Sequence, residues 1–388
     1  IMIHYRESGL LKGGRQLHHR ELACADNKIY IFGAHPRGQT LGHYLKYLKP
    51  EIQIVAYLFD NDEENPSEID GVPVWKISEE VKLDTGIPVY LAMRGINQQR
   101  VKRILEKLGM KTIVPVDVEL DTGLRNAYVK KVFDREQKSF IKIMDIADCE
   151  GLCRTRDKIA MEGTVYVASS VNDAPLQSCY TFKSYEKRIQ VGSALTDQRL
   201  ENAIYDCEGD SISEKNKQYC ELTGLYWVWK HAAEDYVGLC HYRRHFLLPD
   251  NWMACMEQNH IDVILPVPLY VSPNLADNFR GRHAAKEWDY MMQYLKENLP
   301  QDYEKASEFF KGNLYSPCNM LIAKRKVLDE LCSWMFPILD AVAAACGTED
   351  NTYDNRYPGF LSERLITYFF ETQRKRYQVV YADKNFLN

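Results

Sequence analysis

The densest group of chemistry-bearing side chains in this chain is His241-Tyr242-Arg243-Arg244-His245, placed directly after the apolar run Tyr236-Val237-Gly238-Leu239-Cys240. The run has the length and composition of a buried strand. Two adjacent arginines between two histidines are costly to bury, so such a group at a strand end points to a bound anion. In open α/β sheets the carboxyl ends of the strands are also where ligands bind. The plain alternative is a solvated edge with a few ion pairs. Further along, Glu363 and Arg364 interrupt the apolar stretch GFLSERLITYFFE, and charges inside an apolar helix are paired or functional. Glu214, Lys215 and Asn216 form a compact polar group at the head of an aromatic-rich helix, where phosphate or sugar oxygens would be welcome. Arg280, Arg282 and His283 crowd one loop, Asp289 sits on the helix after it, and Asn319 comes just after a break at Pro317.

These residues need a scaffold, and the pattern predicts one of class α/β. Between Lys28 and Leu120, strands such as IYIFGAH, IQIVAYLFD and IPVYLAM alternate with helices such as PRGQTLGHYLKYL and INQQRVKRILEKLG, which implies a parallel, Rossmann-like sheet. Gly33 and Gly38 there resemble a dinucleotide fingerprint at looser spacing than G-x-G-x-x-G. Asp60 closes the second strand, where an acidic residue would meet a ribose. The segment is either a nucleotide or nucleotide-sugar pocket or a docking module without a ligand. Asp60-Asn61-Asp62 has the D-x-D form of a metal-diphosphate site, but it opens an acidic loop with Glu63 and Glu64 and reads as a solvated turn.

Residues 121–163 are charged and helical, and are expected to connect the two domains with Lys130, Lys131 and Lys138 on a solvated face. A second α/β pattern starts at Thr164. Its most distinctive element is EGDSISEKNKQYCELTGLYWVWKH, expected as one helix with Tyr219, Leu222, Tyr226, Trp227 and Trp229 on its aromatic side. The expected organisation is therefore a domain over 1–120, a linker over 121–163 and a second domain over 164–388, in keeping with a length of 388 residues.

A net charge of −5 argues against a general nucleic-acid binder, so any basic site must be local, as at Arg243. The 11 cysteines are odd in number and scattered, which reads as reduced thiols without a disulfide framework or zinc cluster. No apolar stretch approaches the ~18 residues of a membrane span. The opening IMIHYRESGLLKGGRQLHHR lacks the apolar core of a signal peptide, so the cytoplasm is the expected location.

Four blocks in order, GDSISEKNKQYCELTGLYWVWK, YVGLCHYRRHF, NLYSPCNMLIAKR and GFLSERL, resemble a family of bacterial capsular and exopolysaccharide glycosyltransferases with a GT-A-type fold, long known only as a domain of unknown function. The resemblance spans roughly Val165 to Tyr377. The segment before it is similar to the small nucleotide-sugar-binding domains attached to bacterial sugar-modifying enzymes. The resemblance implies a GT-A-like nucleotide-diphospho-sugar transferase domain. It would move a sugar, from a UDP-sugar first of all, to a glycan or lipid-linked glycan acceptor at the inner face of the membrane. Where such folds carry a metal-binding D-x-D, this chain has His241-Tyr242-Arg243, so Arg243 and Arg244 are expected to neutralise the leaving diphosphate directly. Mn²⁺ or Mg²⁺ held by His241 and outside carboxylates is the alternative. Glu363 is the candidate base of an inverting transfer, with Asp289 and His283 in reserve or in contact with acceptor. Asn319 would bond a sugar hydroxyl or simply satisfy a bulged strand, and Tyr242 and Arg364 complete the expected substrate contacts. A nucleotide-sugar oxidoreductase or epimerase working through Gly33, Gly38 and Asp60, and a non-catalytic glycan-binding protein, are the rival functions.

Overall fold

The computed structural model describes residues 22–149 and 161–387, apart from Glu63, Glu79, Glu80, Arg94 and Ser178. The chain divides into two compact units, Ile1–Ser139 and Phe140–Asn388.

In the first unit the order is β1 (Lys28–Phe32), α1 (Pro36–Leu48), β2 (Gln53–Phe59), β3 (Glu68–Ile69) and β4 (Val72–Lys76). Then come β5 (Val89–Leu91), α2 (Gly95–Lys107), β6 (Ile113–Pro115) and α3 (Val118–Arg135). The strands form one sheet in the order β3-β4-β2-β1-β5-β6. All its pairs are parallel except β3 with β4. Ile29 to Phe32 are buried, as a parallel strand covered on both faces requires. Gly33 has φ +122°, and a Cβ on Gly38 would lie 1.8 Å from the Gly33 carbonyl oxygen. Glycine at 38 thus lets the first turn of α1 close against the end of β1.

The expected linker over 121–163 is not one element. Helix α3 starts at its N-cap Asp117, which accepts from Leu120 N at 2.8 Å, and buries Leu120, Leu124, Tyr128, Val129, Val132 and Phe133. Those side chains make it a core helix of the first unit. It stops at Arg135, and Gln137 takes φ +57°. From Phe140 onward the chain belongs to the second unit, while 150–160 lie outside the described residues.

The second unit opens with α4 (Ile143–Asp148), β7 (Gly163–Ser169), β8 (Glu186–Gln190), β9 (Ala203–Tyr205), α5 (Asn216–Tyr219), α6 (Leu222–His231) and β10 (Tyr236–His241). It continues with α7 (Trp252–Gln258), β11 (Val263–Pro266), β12 (Leu269–Tyr270), α8 (Leu275–Arg282), α9 (Ala285–Asn298) and α10 (Pro300–Phe309). It closes with β13 (Leu314–Tyr315), β14 (Leu321–Lys324), α11 (Arg325–Cys346), α12 (Tyr357–Thr372) and β15 (Val379–Ala382). Seven strands form one sheet in the order β15-β11-β14-β10-β7-β8-β9. Every neighbour pair in it is parallel except those of β14, which runs against both β10 and β11. The short strands β12 and β13 pair separately.

The expected long helix before β10 is broken. A 3₁₀ turn over Ser213–Lys215 and the single turn of α5 end at Cys220, whose φ is +52°, and α6 restarts at Leu222. The strand around Pro317 is interrupted as the proline implied, and Glu363 lies in the second turn of α12. Among the described residues no helix is long and apolar enough to cross a membrane.

β10 sits in the middle of the sheet with Tyr236 to Cys240 buried. A Cβ on Gly238 would lie 2.7 Å from both Ile322 Cγ1 and the Leu321 carbonyl oxygen. Gly238→Ala is therefore expected to cost about 1–3 kcal/mol through overpacking. Thermal unfolding checks this, and an unchanged melting temperature would show that β14 can move aside.

Candidate functional site

Because β14 runs antiparallel to β10, the chain entering β14 passes the carboxyl end of β10. Proline 317 cannot donate to a ladder there, and α12 takes up the donors that strand pairing leaves over. Ser316 N donates to Thr367 Oγ1 at 3.0 Å, and Cys318 N donates to Glu363 Oε1 at 2.5 Å. Asn319 Nδ2 donates to the Gly359 carbonyl at 2.9 Å, and Ser362 Oγ donates to Asn319 Oδ1 at 2.7 Å. Gly359, Glu363 and Thr367 recur every four residues, so one stripe of α12 clamps the whole stretch.

The helix break brings in a third element. Glu221 comes directly after Cys220, and its Oε1 accepts from Asn319 Nδ2 at 2.8 Å and lies 3.8 Å from His241 Nε2. His241 Nε2 in turn donates to the Cys318 carbonyl at 2.5 Å, which places the ring proton on Nε2. Cys220 (φ +52°), Cys318 (φ +77°) and Asn319 (φ +49°) all hold left-handed backbone without being glycine. Such residues cost about 1–3 kcal/mol each and gather where ligands bind.

Charge is concentrated at this junction. Burial pushes the Glu363 carboxyl above its ordinary range; Arg364 and the Cys318 N–H pull it back, Glu221 raises it further and Arg244 lowers it. Glu363 Oε2 accepts from Arg364 Nη1 at 2.9 Å, and the Glu363 side chain keeps 15% of its surface exposed. Each carboxylate oxygen has a second lone pair, so acceptor capacity remains. Burial lowers His241 as well, with Glu221 opposing and Arg244 and Arg356 reinforcing, so the ring is neutral at physiological pH. Arg243 and Arg244 are half-buried, and neither guanidinium makes a hydrogen bond or ion pair among the described residues. Their close contacts are aromatic: the Phe386 ring lies 5.2 Å from Arg243 and 5.4 Å from Arg244.

His245, expected beside the anion, faces the core instead. Its Nδ1 donates to Glu186 Oε1 at 2.7 Å, and Glu186 also accepts from Tyr180 OH at 2.9 Å and Lys183 N at 2.8 Å. It anchors the turn that presents the arginines.

The other expected residues divide. Asn319, Arg364, His241 and Glu363 are brought together, with Tyr242 next in the chain. His283 is close by, stacked on Phe360 at 4.1 Å; burial, Arg364 and Arg282 push its pKa down to about 4, so it is neutral. Glu214, Lys215 and Asn216 do not form an anion-binding helix start. Glu214 is exposed, Lys215 pairs with Asp340 at 3.2 Å, and Asn216 Nδ2 donates to Cys220 O and Thr223 Oγ1, which braces the break. Asp289 pairs with Arg280 at 2.7 Å with 62% of its side chain exposed. In the first unit Asp60 is engaged by Arg100 at 2.5 and 3.2 Å, so its carboxylate is already bonded. Glu221 and Cys318 were not anticipated. Their signal is the broken helix and the broken strand, since each sits at a residue where a regular element had to fail.

A divalent ion at this junction would have to compete with bonds already made: His241 Nε2 donates to the Cys318 carbonyl, Glu221 Oε1 accepts from Asn319, and Glu363 accepts from Cys318 N and Arg364, with Arg244 adding positive charge. Ligand atoms of Glu186, Cys240 and His245 lie within 4.8 Å of one another. There Glu186 is filled by hydrogen bonds, and burial keeps the Cys240 thiol protonated.

A sheet of this order, with one antiparallel strand and the site at the carboxyl end of the central strand, defines a GT-A-like fold. The apo structure of WbbM, a bifunctional glycosyltransferase, resembles it with a TM-score of 0.52 at 24% identity over 58% of this chain. The match covers 45% of the WbbM chain, so this chain spans less than half of that protein's length. A family model described as a domain of unknown function, DUF4422, matches residues 177–375, and the chain belongs to that family. No curated protein matches it.

Burial alone would raise Glu186, but the hydrogen bonds from His245, Lys183 N and Tyr180 outweigh it and leave the carboxyl below its ordinary value of 4.5. The bonded carboxylate therefore stabilises the fold above pH 4.5 and loses that contribution as pH falls through the lower folded value. Glu186→Gln is expected to cost about 1–3 kcal/mol at neutral pH. The gap to wild type should narrow on acidification, which urea unfolding at neutral and acidic pH measures.

Proposed function

We propose that this chain is a glycosyltransferase that moves a sugar from a nucleotide-sugar donor, UDP-linked first of all, to a glycan acceptor in bacterial surface polysaccharide assembly. The observation that carries the proposal is the pair of half-buried guanidiniums of Arg243 and Arg244, neither hydrogen-bonded nor ion-paired among the described residues, with Arg244 acting on Glu363 and Arg243 on Asp173. Arginines in that state are poised for a polyanion, and bidentate, charge-assisted hydrogen bonds suit a diphosphate. The GT-A-like fold and its likeness to WbbM, a glycosyltransferase by name, support the same class. A lipid-linked glycan met at the inner face of the membrane is the acceptor class that the sequence resemblance implies.

In the proposed reaction Glu363 takes the proton of the acceptor hydroxyl. The acceptor oxygen forms a bond to the anomeric carbon from the face opposite the phosphate. The bond from that carbon to the phosphate oxygen breaks, and its electron pair leaves on the nucleoside diphosphate, whose charge Arg243 and Arg244 meet. Glu221 would orient a sugar hydroxyl, while Asn319, 2% exposed and with both Nδ2 protons bonded, holds Glu221 in place. The reaction inverts the anomeric centre, and its diphosphate is held by arginine in place of metal.

Thermal stabilisation by a panel of nucleotide sugars, each with Mn²⁺ and with EDTA, is the test. Stabilisation kept in EDTA and lost in Arg244→Ala is the expected result. Binding that requires Mn²⁺ would overturn the metal-free diphosphate site, and a shift with a nicotinamide dinucleotide alone would move the function to the first unit. Glu363→Gln is expected to lower turnover by about 10²–10⁴-fold while donor binding is kept.

The pH profile carries a further signature. Burial raises Glu363, so the basic carboxylate is lost on acidification at a value above the ordinary 4.5. The acid limb of kcat/KM should accordingly lie above that value. Glu221→Gln removes a neighbouring negative charge and should move the limb down; a limb that stays in place in this variant would separate Glu221 from the base.

A further inference from the structure

β15 ends at Ala382, and the five residues after it, Asp383 to Leu387, run antiparallel beside the arginine stretch. Leu247 N donates to the Asp383 carbonyl at 2.8 Å, Asn385 N to the His245 carbonyl at 3.0 Å, and Leu387 N to the Arg243 carbonyl at 2.8 Å. His245 N donates back to Asn385 Oδ1 at 2.8 Å. This strap lies after residue 375, where the family match ends.

In a chain paired this way residues two apart share a face, which places Lys384 and Phe386 together. Phe386 keeps 50% of its surface exposed, and its ring lies 5.2 Å from the Arg243 guanidinium and 5.4 Å from that of Arg244. Burial raises the Cys318 thiol above its ordinary value, and the largest charge opposing this is the Lys384 ammonium. Lys384 therefore stands near the residue whose N–H is bonded to Glu363. One strap thus brings the Lys384 ammonium toward Cys318 and a ring to both Arg243 and Arg244.

We propose that the 383–387 strap is part of the diphosphate site: Lys384 donates to phosphate oxygens alongside Arg243 and Arg244, and Phe386 is a positioning residue for both guanidiniums. A ring against a guanidinium narrows the rotamers that the arginine must give up on binding, so Phe386 acts through preorganisation. The proposal rests on the nucleotide-sugar reading for its natural ligand, while the chemistry is that of any pyrophosphate.

Isothermal titration of the full chain with uridine diphosphate and with inorganic pyrophosphate tests it. Lys384→Ala should weaken both ligands by about tenfold or more, and Lys384→Arg should restore most of the loss. Phe386→Ala should weaken both by about threefold, with Phe386→Tyr close to wild type. The conservative variants keep the strap's packing, so a loss confined to the alanine variants reads ligand contact and not folding. Unchanged affinities in Lys384→Ala and Phe386→Ala, with binding lost in Arg244→Ala, would overturn the strap's role and leave the transferase reading standing. Strap-dependent pyrophosphate binding in a protein that ignores every nucleotide sugar would do the reverse. A wild-type chain that binds neither ligand overturns both.

Discussion

The site hangs on the hydrogen bonds that replace strand pairing where β14 fails to begin. Pro317 removes a donor, and the backbone groups around it must be satisfied because Ser316 and Asn319 are buried. Helix α12 supplies Thr367, Glu363 and the Gly359 carbonyl in one stripe. The side chain that satisfies Cys318 N is also the best candidate base. A carboxylate fixed by a backbone N–H on one oxygen and a guanidinium on the other has little freedom left, which is the preorganisation that the proposed base needs.

The charge pattern is a consequence of that geometry. Two carboxylates, Glu221 and Glu363, act on each other across a buried space, which is unfavourable unless cations enter. Arg364 is spent on Glu363 and on the Phe360 carbonyl, and Arg356 donates to Cys220 Sγ at 3.0 Å. Arg243 and Arg244 keep aromatic rings as their close contacts. A guanidinium against a ring is attracted to it, yet all five N–H donors stay available. The arrangement keeps positive charge close without a protein carboxylate bonded to it, which a site for an incoming polyanion requires.

Much of the scaffold was legible in the sequence because its elements obey local rules. The apolar run ending at Cys240 and the helix opened by Pro36 need no tertiary information. The polar burst after Cys240 was legible as a cluster at the carboxyl end of a strand for the same reason. What escaped was decided by long-range contact. Glu221 looked like the interior of one helix, and only the packing of Asn216 against Thr223 and the Cys220 carbonyl forces the turn that exposes it. His245 looked like a ligand residue until Glu186, distant in sequence, claimed its ring. β15 and the strap after it are short, so no period could announce them.

The failures of local pattern are thus informative. Cys220, Cys318 and Asn319 each adopt a backbone that glycine would hold with less strain, and each precedes or carries a side chain of the junction. Glycine would relieve the strain at these points but would also loosen the turns that aim Glu221 at Asn319 and the Cys318 N–H at Glu363. Non-glycine residues cost stability there and narrow the set of conformations at the same time. Because three such residues from two distant segments meet at one carboxylate pair, the strain reads as the cost of holding acceptors and donors in a fixed array. A fold serving packing alone could have closed both breaks as a continuous helix and a continuous strand.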